Sequence, residues 1–349
     1  MSDEIGVGLI GFGMAARVFH IPIIQSVPGL KLKRIVTRRR DEVHGQYPGI
    51  ESDGDATSLV SDNEVQLVVV GTPTNTHFDL ARQALAAGKH VVVEKPFTSS
   101  SAEADQLIRL ASIHNRVLSV FQNRRWDGDF LTVQALLEKE ILGRLVEYES
   151  HFDRFRNQPR HNWRETAIGG GGILFDLGSH LIDQALVLFG LPLTVRADVT
   201  RQRDFGESDD RFEVVLQYPR LIVTLKSGML VREPCSRFIL HGTEGSFVKY
   251  GYDPQEAALN RGITPADPDW GKESREYWGT LRTRIDKVNF GGRVETLAGC
   301  YQEFYENIVA SLRGRAALAV DPRDARNTIR IIELAHQSEE ERRTLPFNP

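Results

Sequence analysis

GLIGFGMAARVFHIP, Gly8 to Pro22, follows directly on the start of an apolar run, IGVGLI, and leads into a helical pattern. Within it Gly11, Gly13 and Ala16 stand at Gly-x-Gly-x-x-Ala spacing. A tight turn off a strand needs Gly11, a phosphate approaching the backbone needs Gly13 bare of a side chain, and a small residue at Ala16 lets the helix lie close on the strand. The helix start adds free N–H groups and the positive end of its dipole. Outward from this loop, the apolar runs LKLKRIV, VQLVVV, HVVV and RVLSV alternate with the helical stretches FDLARQALAAG and SAEADQLIRLASIHN, as far as about Val120. The alternation predicts repeated βα units and a doubly wound parallel sheet over residues 1–122.

Beyond Gln122 the rhythm changes. A helix, DFLTVQALLEKE, and a strand, RLVEYESHF, precede a Gly-rich segment and one helix, LFDLGSHLIDQALVLFG, which stops at Gly190 with Pro192 just past it. The runs LTVRADVTRQR, DRFEVVLQY, LIVTLKSG, RFILHG and GSFVKYG then follow in quick succession, joined by short turns that suit antiparallel neighbours. YQEFYENIVASL and DARNTIRIIELAHQSEEERR read as helices. Residues 123–349 are therefore expected to form an α+β domain on one sheet, with a long loop from about Ala257 to Gly299, where periodicity is weak.

The 349 residues carry a net charge of -4, which offers no electrostatic footprint for nucleic acid. Two cysteines, Cys235 and Cys300, are too few for a disulfide framework and lack metal-type spacing. No metal is expected, although His151 and Asp153 on one strand keep that reading in view. The acidic amino terminus is unlike a signal peptide, and no apolar run is long enough to span a bilayer, so the expectation is a cytoplasmic protein with no membrane partner.

The glycine loop makes Gly11, Phe12, Gly13, Met14 and Ala15 candidate contacts to a dinucleotide. The end of the second strand selects the cofactor: it reads IVTRRRD, placing Thr37, Arg38 and Arg39 where an acid would hold a ribose 2′-hydroxyl. Guanidinium groups there favour a 2′-phosphate, so NADP is expected over NAD, with Arg38 its first partner. GTPTNTHF follows VQLVVV and contributes Thr72, Pro73, Asn75 and His77 as candidate nicotinamide and ribose contacts; Asn75 equally suits a helix cap. EKPF closes the next strand, adding Glu94 and Lys95 at the ligand end of the sheet. Lys95 reads either as a catalytic group or as a surface partner of Glu94. Asp176 and His180 stand four apart on a predicted helix and share a face that Asp183 and Gln184 continue. Alcohol oxidation needs a base for the hydroxyl proton and neighbours for the oxygens, which these three residues could supply. An Asp176 that merely orients a buried His180 is the competing reading.

Taken together these residues resemble the Gfo/Idh/MocA family of NAD(P)-dependent oxidoreductases. The shared features are the glycine loop, Glu94-Lys95-Pro96, and Asp176 to His180 as D-x-x-x-H. QNRRWDGDF, HFDRFR, NWRE, LHGTEGSFVKYG and DPQE extend the likeness, nearly end to end, to the branch containing NADP-dependent scyllo-inositol 2-dehydrogenases. The resemblance implies a Rossmann domain followed by an open-faced, largely antiparallel sheet that forms homodimer or homotetramer contacts. It implies Lys95, Asp176 and His180 as catalytic and substrate-binding residues, a cis peptide before Pro96, and Arg125, Trp126, His151, Asp153 and Trp163 as pocket walls for a polyol or sugar. The expected activity is hydride exchange between a cyclic polyol and NADP; another sugar or anhydrosugar oxidoreductase and a non-catalytic nucleotide sensor are the alternatives.

Overall fold

The computed structural model describes residues 4–159, 163–166 and 169–348. It divides into two compact units: one holds the chain up to Asn123 together with Gln255–Trp270 and Cys300–Arg326, and the other holds Arg124–Pro254, Gly271–Gly299 and the chain from Asn327 on. A cut at residue 122 thus marks the end of the first stretch of unit 1, to which two later stretches of chain return.

Unit 1 begins with β1 (Ile5–Ile10), α1 (Ile21–Ser26), β2 (Leu30–Val36), α2 (Arg40–Gln46), β3 (Glu51–Asp53) and α3 (Ala56–Ser61). It continues through β4 (Leu67–Val70), α4 (His77–Ala86), β5 (His90–Val93), α5 (Ser101–Ile113) and β6 (Leu118–Val120). The strands form one parallel sheet in the order β3-β2-β1-β4-β5-β6, the doubly wound arrangement the alternation predicts. Val7, Leu9, Leu67, Val68, Val69 and Val91 are wholly buried, as a sheet covered on both faces requires. The register places Ile10 beside Val36 and Val70, Val70 beside Val93, and Val93 beside Val120, so five strands end in one line. Gly11, Thr37, Gly71, Glu94 and Phe121, the next residues along, accordingly share one edge of the sheet. Strand β3 is too short and too polar, as Glu-Ser-Asp, to have shown itself by pattern.

Unit 2 opens with α6 (Gly128–Glu138), β7 (Leu145–His151), α7 (Ser179–Phe189), β8 (Thr194–Thr200), β9 (Arg211–Tyr218), β10 (Leu221–Gly228), β11 (Phe238–Gly242) and β12 (Gly245–Lys249). The helix α8 (Gln255–Asn260) belongs to unit 1. The hairpin β13 (Gly279–Ile285) and β14 (Val288–Val294) follows, then α9 (Gln302–Leu312) in unit 1, α10 (Pro322–Glu341) and β15 (Leu345–Pro346). Nine strands pair as β14-β13-β12-β11-β7-β10-β9-β8-β15, all antiparallel except β7 with β10. The β13–β14 hairpin corrects the expectation of a long loop over 257–299. Its apolar content is slight, since only Gly279, Leu281 and Thr283 of β13 are buried and β14 is mostly exposed, so hydrophobic pattern did not reveal it.

Candidate functional site

The glycine loop follows from local sterics. Gly11 has φ +104°, and a Cβ on it would lie 2.4 Å from the Gly71 carbonyl oxygen, so only glycine fits. At Gly13 a Cβ would meet no atom of the described residues within 4 Å. The space before that backbone is open, as approach by a pyrophosphate demands. Met14 and Ala15 are already helical, and Ala16–His20 form a π-helical turn that continues into α1, a refinement of the plain helix expected. Phe12 is buried, with Tyr47 at its edge, whereas Met14 is half exposed.

The Arg run separates into different roles. Arg39 donates to the Phe12 carbonyl oxygen, lies 5.4 Å over the Phe12 ring and pairs with Glu42 at 3.4 Å, which commits it to the glycine loop itself. Arg38 is exposed, and makes no hydrogen bond or ion pair among the described residues. Thr37 donates its backbone N–H to Asp53 O at 2.7 Å, and its hydroxyl oxygen accepts from the Arg39 N–H at 3.1 Å.

In the loop after β4, the Thr72 and Thr76 hydroxyls lie 2.6 Å apart, Pro73 is exposed, and the Asn75 side chain is exposed and caps no helix. His77 stands against expectation. Its ring is buried, with Nε2 2.9 Å from the Thr72 carbonyl and Nδ1 2.9 Å from the Pro96 carbonyl, which leaves neither nitrogen for a cofactor. Burial holds its pKa below the ordinary imidazole value despite both carbonyls, so the neutral ring donates to one of them at a time. His77 therefore ties the loop after β4 to the loop after β5.

At the end of β5 the Lys95–Pro96 peptide is cis and Lys95 is half-buried. The Glu94 carboxylate turns to a residue that sequence reasoning passed over: its Oε1 lies 3.1 Å from His20 Nε2, and His20 Nδ1 lies 2.7 Å from the Tyr305 hydroxyl. Burial works against a charge on Glu94, but the His20 hydrogen bond and the charge of Lys95 hold its pKa below the ordinary carboxylate value. His20 stood in the first stretch read without any pattern to mark it, and Tyr305 lies 285 residues further on.

In unit 2, Asp176 sits half-buried on a π-helical turn, Leu174–Gly178, and His180 is buried in the first turn of α7. Asp209 starts this helix by accepting the N–H of Leu174 at 2.8 Å, and a Cβ on Gly172 would fall 1.9 Å from its Oδ1. Asp183 and Gln184, expected to extend the reactive face, are structural instead. Asp183 makes a two-bond ion pair with Arg125, at 2.8 and 2.7 Å, and Gln184 joins the Arg124 carbonyl to the fully buried Arg237, at 2.8 and 2.9 Å. Arg125, placed among the pocket walls, thus serves to anchor α7 as well.

Trp126 is buried, and Trp163 is half-buried on a short turn, Trp163–Glu165; Asn162 of the NWRE motif lies outside the described residues. His151 lies between two carboxylates, with Nδ1 3.2 Å from Asp153 and Nε2 3.1 Å from Glu149. Burial opposes its charge, but these two hydrogen bonds outweigh it and raise the ring's pKa. The Cys235 sulfur joins His151 and Asp153 in a cluster whose ligand-type atoms lie within 4.8 Å of one another.

Residues 5–122 match the Gfo/Idh/MocA family described as "Oxidoreductase family, NAD-binding Rossmann fold", and residues 134–347 match its "C-terminal alpha/beta domain". The chain belongs to the Gfo/Idh/MocA oxidoreductases. It is an NAD(P)-dependent oxidoreductase acting on CH–OH groups. It is 43% identical to the oxidoreductase YdgJ of Escherichia coli, over 99% of both chains. It is also 38% identical to IolW of Bacillus subtilis, an NADP(+)-dependent scyllo-inositol 2-dehydrogenase, over 98% of this chain and 96% of that one. Among solved structures, the oxidoreductase yvaA of Bacillus subtilis superposes with a TM-score of 0.97 at 37% identity, covering 100% of this chain and 99% of that one. Within this Gfo/Idh/MocA chain the open backbone at Gly13 fits the cofactor such a domain binds.

Proposed function

We propose that the chain is an NADP-dependent dehydrogenase of a cyclic polyol of the scyllo-inositol class, able to run as the corresponding ketone reductase. The observation that carries this reading is the common edge of the parallel sheet, where the open Gly13 backbone, the exposed Arg38 and the Glu94-Lys95 pair follow strands ending in one register. An acid is missing from the end of β2, and Arg38 is free to meet a 2′-phosphate. The named activity of IolW supports the choice of substrate class.

When bound, the nicotinamide supplies the hydride acceptor at its carbon 4. The chain's own part is to take the hydroxyl proton and hold the oxygens. We assign the proton to Lys95, with His180 its rival, and the neighbouring hydroxyls to Asp176 and His180, with Trp126, Trp163, His151 and Asp153 as further contacts. Thr72, Pro73 and Asn75 are assigned to the cofactor. A second copy of the chain is the proposed partner, through the C-terminal sheet, where Ile222, Ile285, Val288 and Phe290 are exposed.

Initial rates of nicotinamide reduction across inositols, aldoses and anhydrosugars, with NADP or NAD, test this reading. Turnover of scyllo-inositol with NADP and little with NAD is expected. Turnover confined to an aldose or anhydrosugar would overturn the substrate, and tight NADP binding without turnover would indicate a sensor.

A further inference from the structure

Three buried side chains of unit 1 form one hydrogen-bonded chain that ends at the cofactor edge of the sheet. Tyr305 and His20 are wholly buried and Glu94 is 6% exposed. The His20 ring is held by Phe121, whose centroid is 4.4 Å away, and Phe121 packs edge-on against Phe304 at 4.9 Å.

The chain has one consistent proton arrangement. Tyr305 remains a phenol, because burial and the charge of Glu94 both raise its pKa well above the ordinary value. Its hydroxyl proton has one acceptor among the described residues, His20 Nδ1 at 2.7 Å. Nδ1 must therefore present a lone pair, the ring proton sits on Nε2, and Nε2–H donates to Glu94 Oε1 at 3.1 Å. A buried hydroxyl with no acceptor would be costly, which fixes the direction of the whole series.

Glu94 Oε2 is left over. It has no hydrogen-bond donor among the described residues, yet it is not sealed from solvent, and the side chain keeps 8% exposure. An ionised oxygen held in place by its twin and open to solvent is an acceptor waiting for an N–H or O–H. Its location selects the donor. The glycine loop follows β1 and the Arg run follows β2, while Glu94 follows β5, beyond β4 on the opposite side of β1. A dinucleotide laid across that crevice puts its adenosine half toward β2 and its nicotinamide half toward β5.

We propose that Tyr305 and His20 are positioning residues that present the Glu94 carboxylate to an N–H or O–H of the nicotinamide riboside half of the cofactor. This rests on unit 1 binding a nicotinamide dinucleotide, and it is independent of which polyol is oxidised. The test measures dissociation constants of two probes, NADPH and adenosine 2′,5′-bisphosphate, which lacks the nicotinamide riboside. Glu94→Gln is expected to weaken NADPH about tenfold, and Tyr305→Phe and His20→Gln at least threefold, with the adenosine probe unchanged for all. Tyr305→Phe combined with Glu94→Gln should bind NADPH no more weakly than Glu94→Gln alone, because both interrupt one chain. Unchanged NADPH affinity in folded Tyr305→Phe and His20→Gln, equal weakening of both probes, or additive losses would overturn the proposal. If the native protein bound neither probe, the cofactor reading itself would fall, and the proposal with it.

Discussion

At the scale of single residues, adjacent side chains of one type have been given different tasks. Arg38 reaches solvent while Arg39 is folded onto the Phe12 carbonyl and ring. Arg38→Ala should therefore weaken NADP by about ten- to hundredfold, the worth of one charge-assisted contact, and leave NAD affinity unchanged. Arg39→Ala should weaken both alike, by loosening the glycine loop; equilibrium titration with each cofactor separates the two. His151 offers a pH test. Its folded pKa is raised, so its charge contributes stability that is complete below about pH 6.5, its ordinary value, and is lost as pH climbs through the raised value. An NMR titration should find its midpoint above 6.5, and Asp153→Asn should bring it down. The sequence put Arg38 first for the 2′-phosphate, but the partners of Arg39 and of His151 were not legible in it. The sequence shows three arginines in a row and a histidine two residues from an aspartate, but not which guanidinium finds a carbonyl 27 residues away or that Glu149 closes on the other ring nitrogen.

At the scale of elements, the turn from β1 into its helix contains two glycines that fail differently when replaced. Gly11→Ala meets both a positive φ and the Gly71 carbonyl, so it should cost about 1–3 kcal/mol from backbone strain alone, with the contact added to that. Gly13→Ala meets nothing among the described residues. It should leave the melting temperature unchanged and still abolish tight cofactor binding, because its methyl would occupy the space the pyrophosphate needs. Thermal melts alongside cofactor titrations distinguish a folding role from a ligand role. Both roles were legible as spacing, since each is a demand on backbone within a few residues. The helix with Asp176 and His180 was legible in the same way, except for its π-helical opening, which depends on the Asp209 cap supplied from 35 residues away.

At the scale of the whole molecule, unit 1 is completed by chain from beyond residue 250. Tyr305 and Phe304 of α9 bury His20 and Phe121, and Ser119 donates to the Val320 carbonyl at 2.9 Å. The chain cut after Asn123 would expose these rings, and losing each large aromatic contact costs about 3–5 kcal/mol in a core. Such a fragment should lack cooperative unfolding by circular dichroism and should not bind NADPH, whereas the full-length protein is expected to unfold cooperatively and to bind it. The alternation of apolar runs determined the parallel sheet, its strand ends and the ligand edge, because strand and helix periods and the sterics of glycine act within ten residues or so. So did the succession of β8 to β12. Only the tertiary structure decided that Arg39 serves the loop, that His77 joins two backbones, that 279–294 is a hairpin, and that Tyr305 and His20 reach Glu94. The partners of Arg39, His20 and Tyr305 lie far along the chain, and a long-range partner leaves no periodicity in either segment it joins; the hairpin is local, but its strands bury too few side chains to leave an apolar pattern.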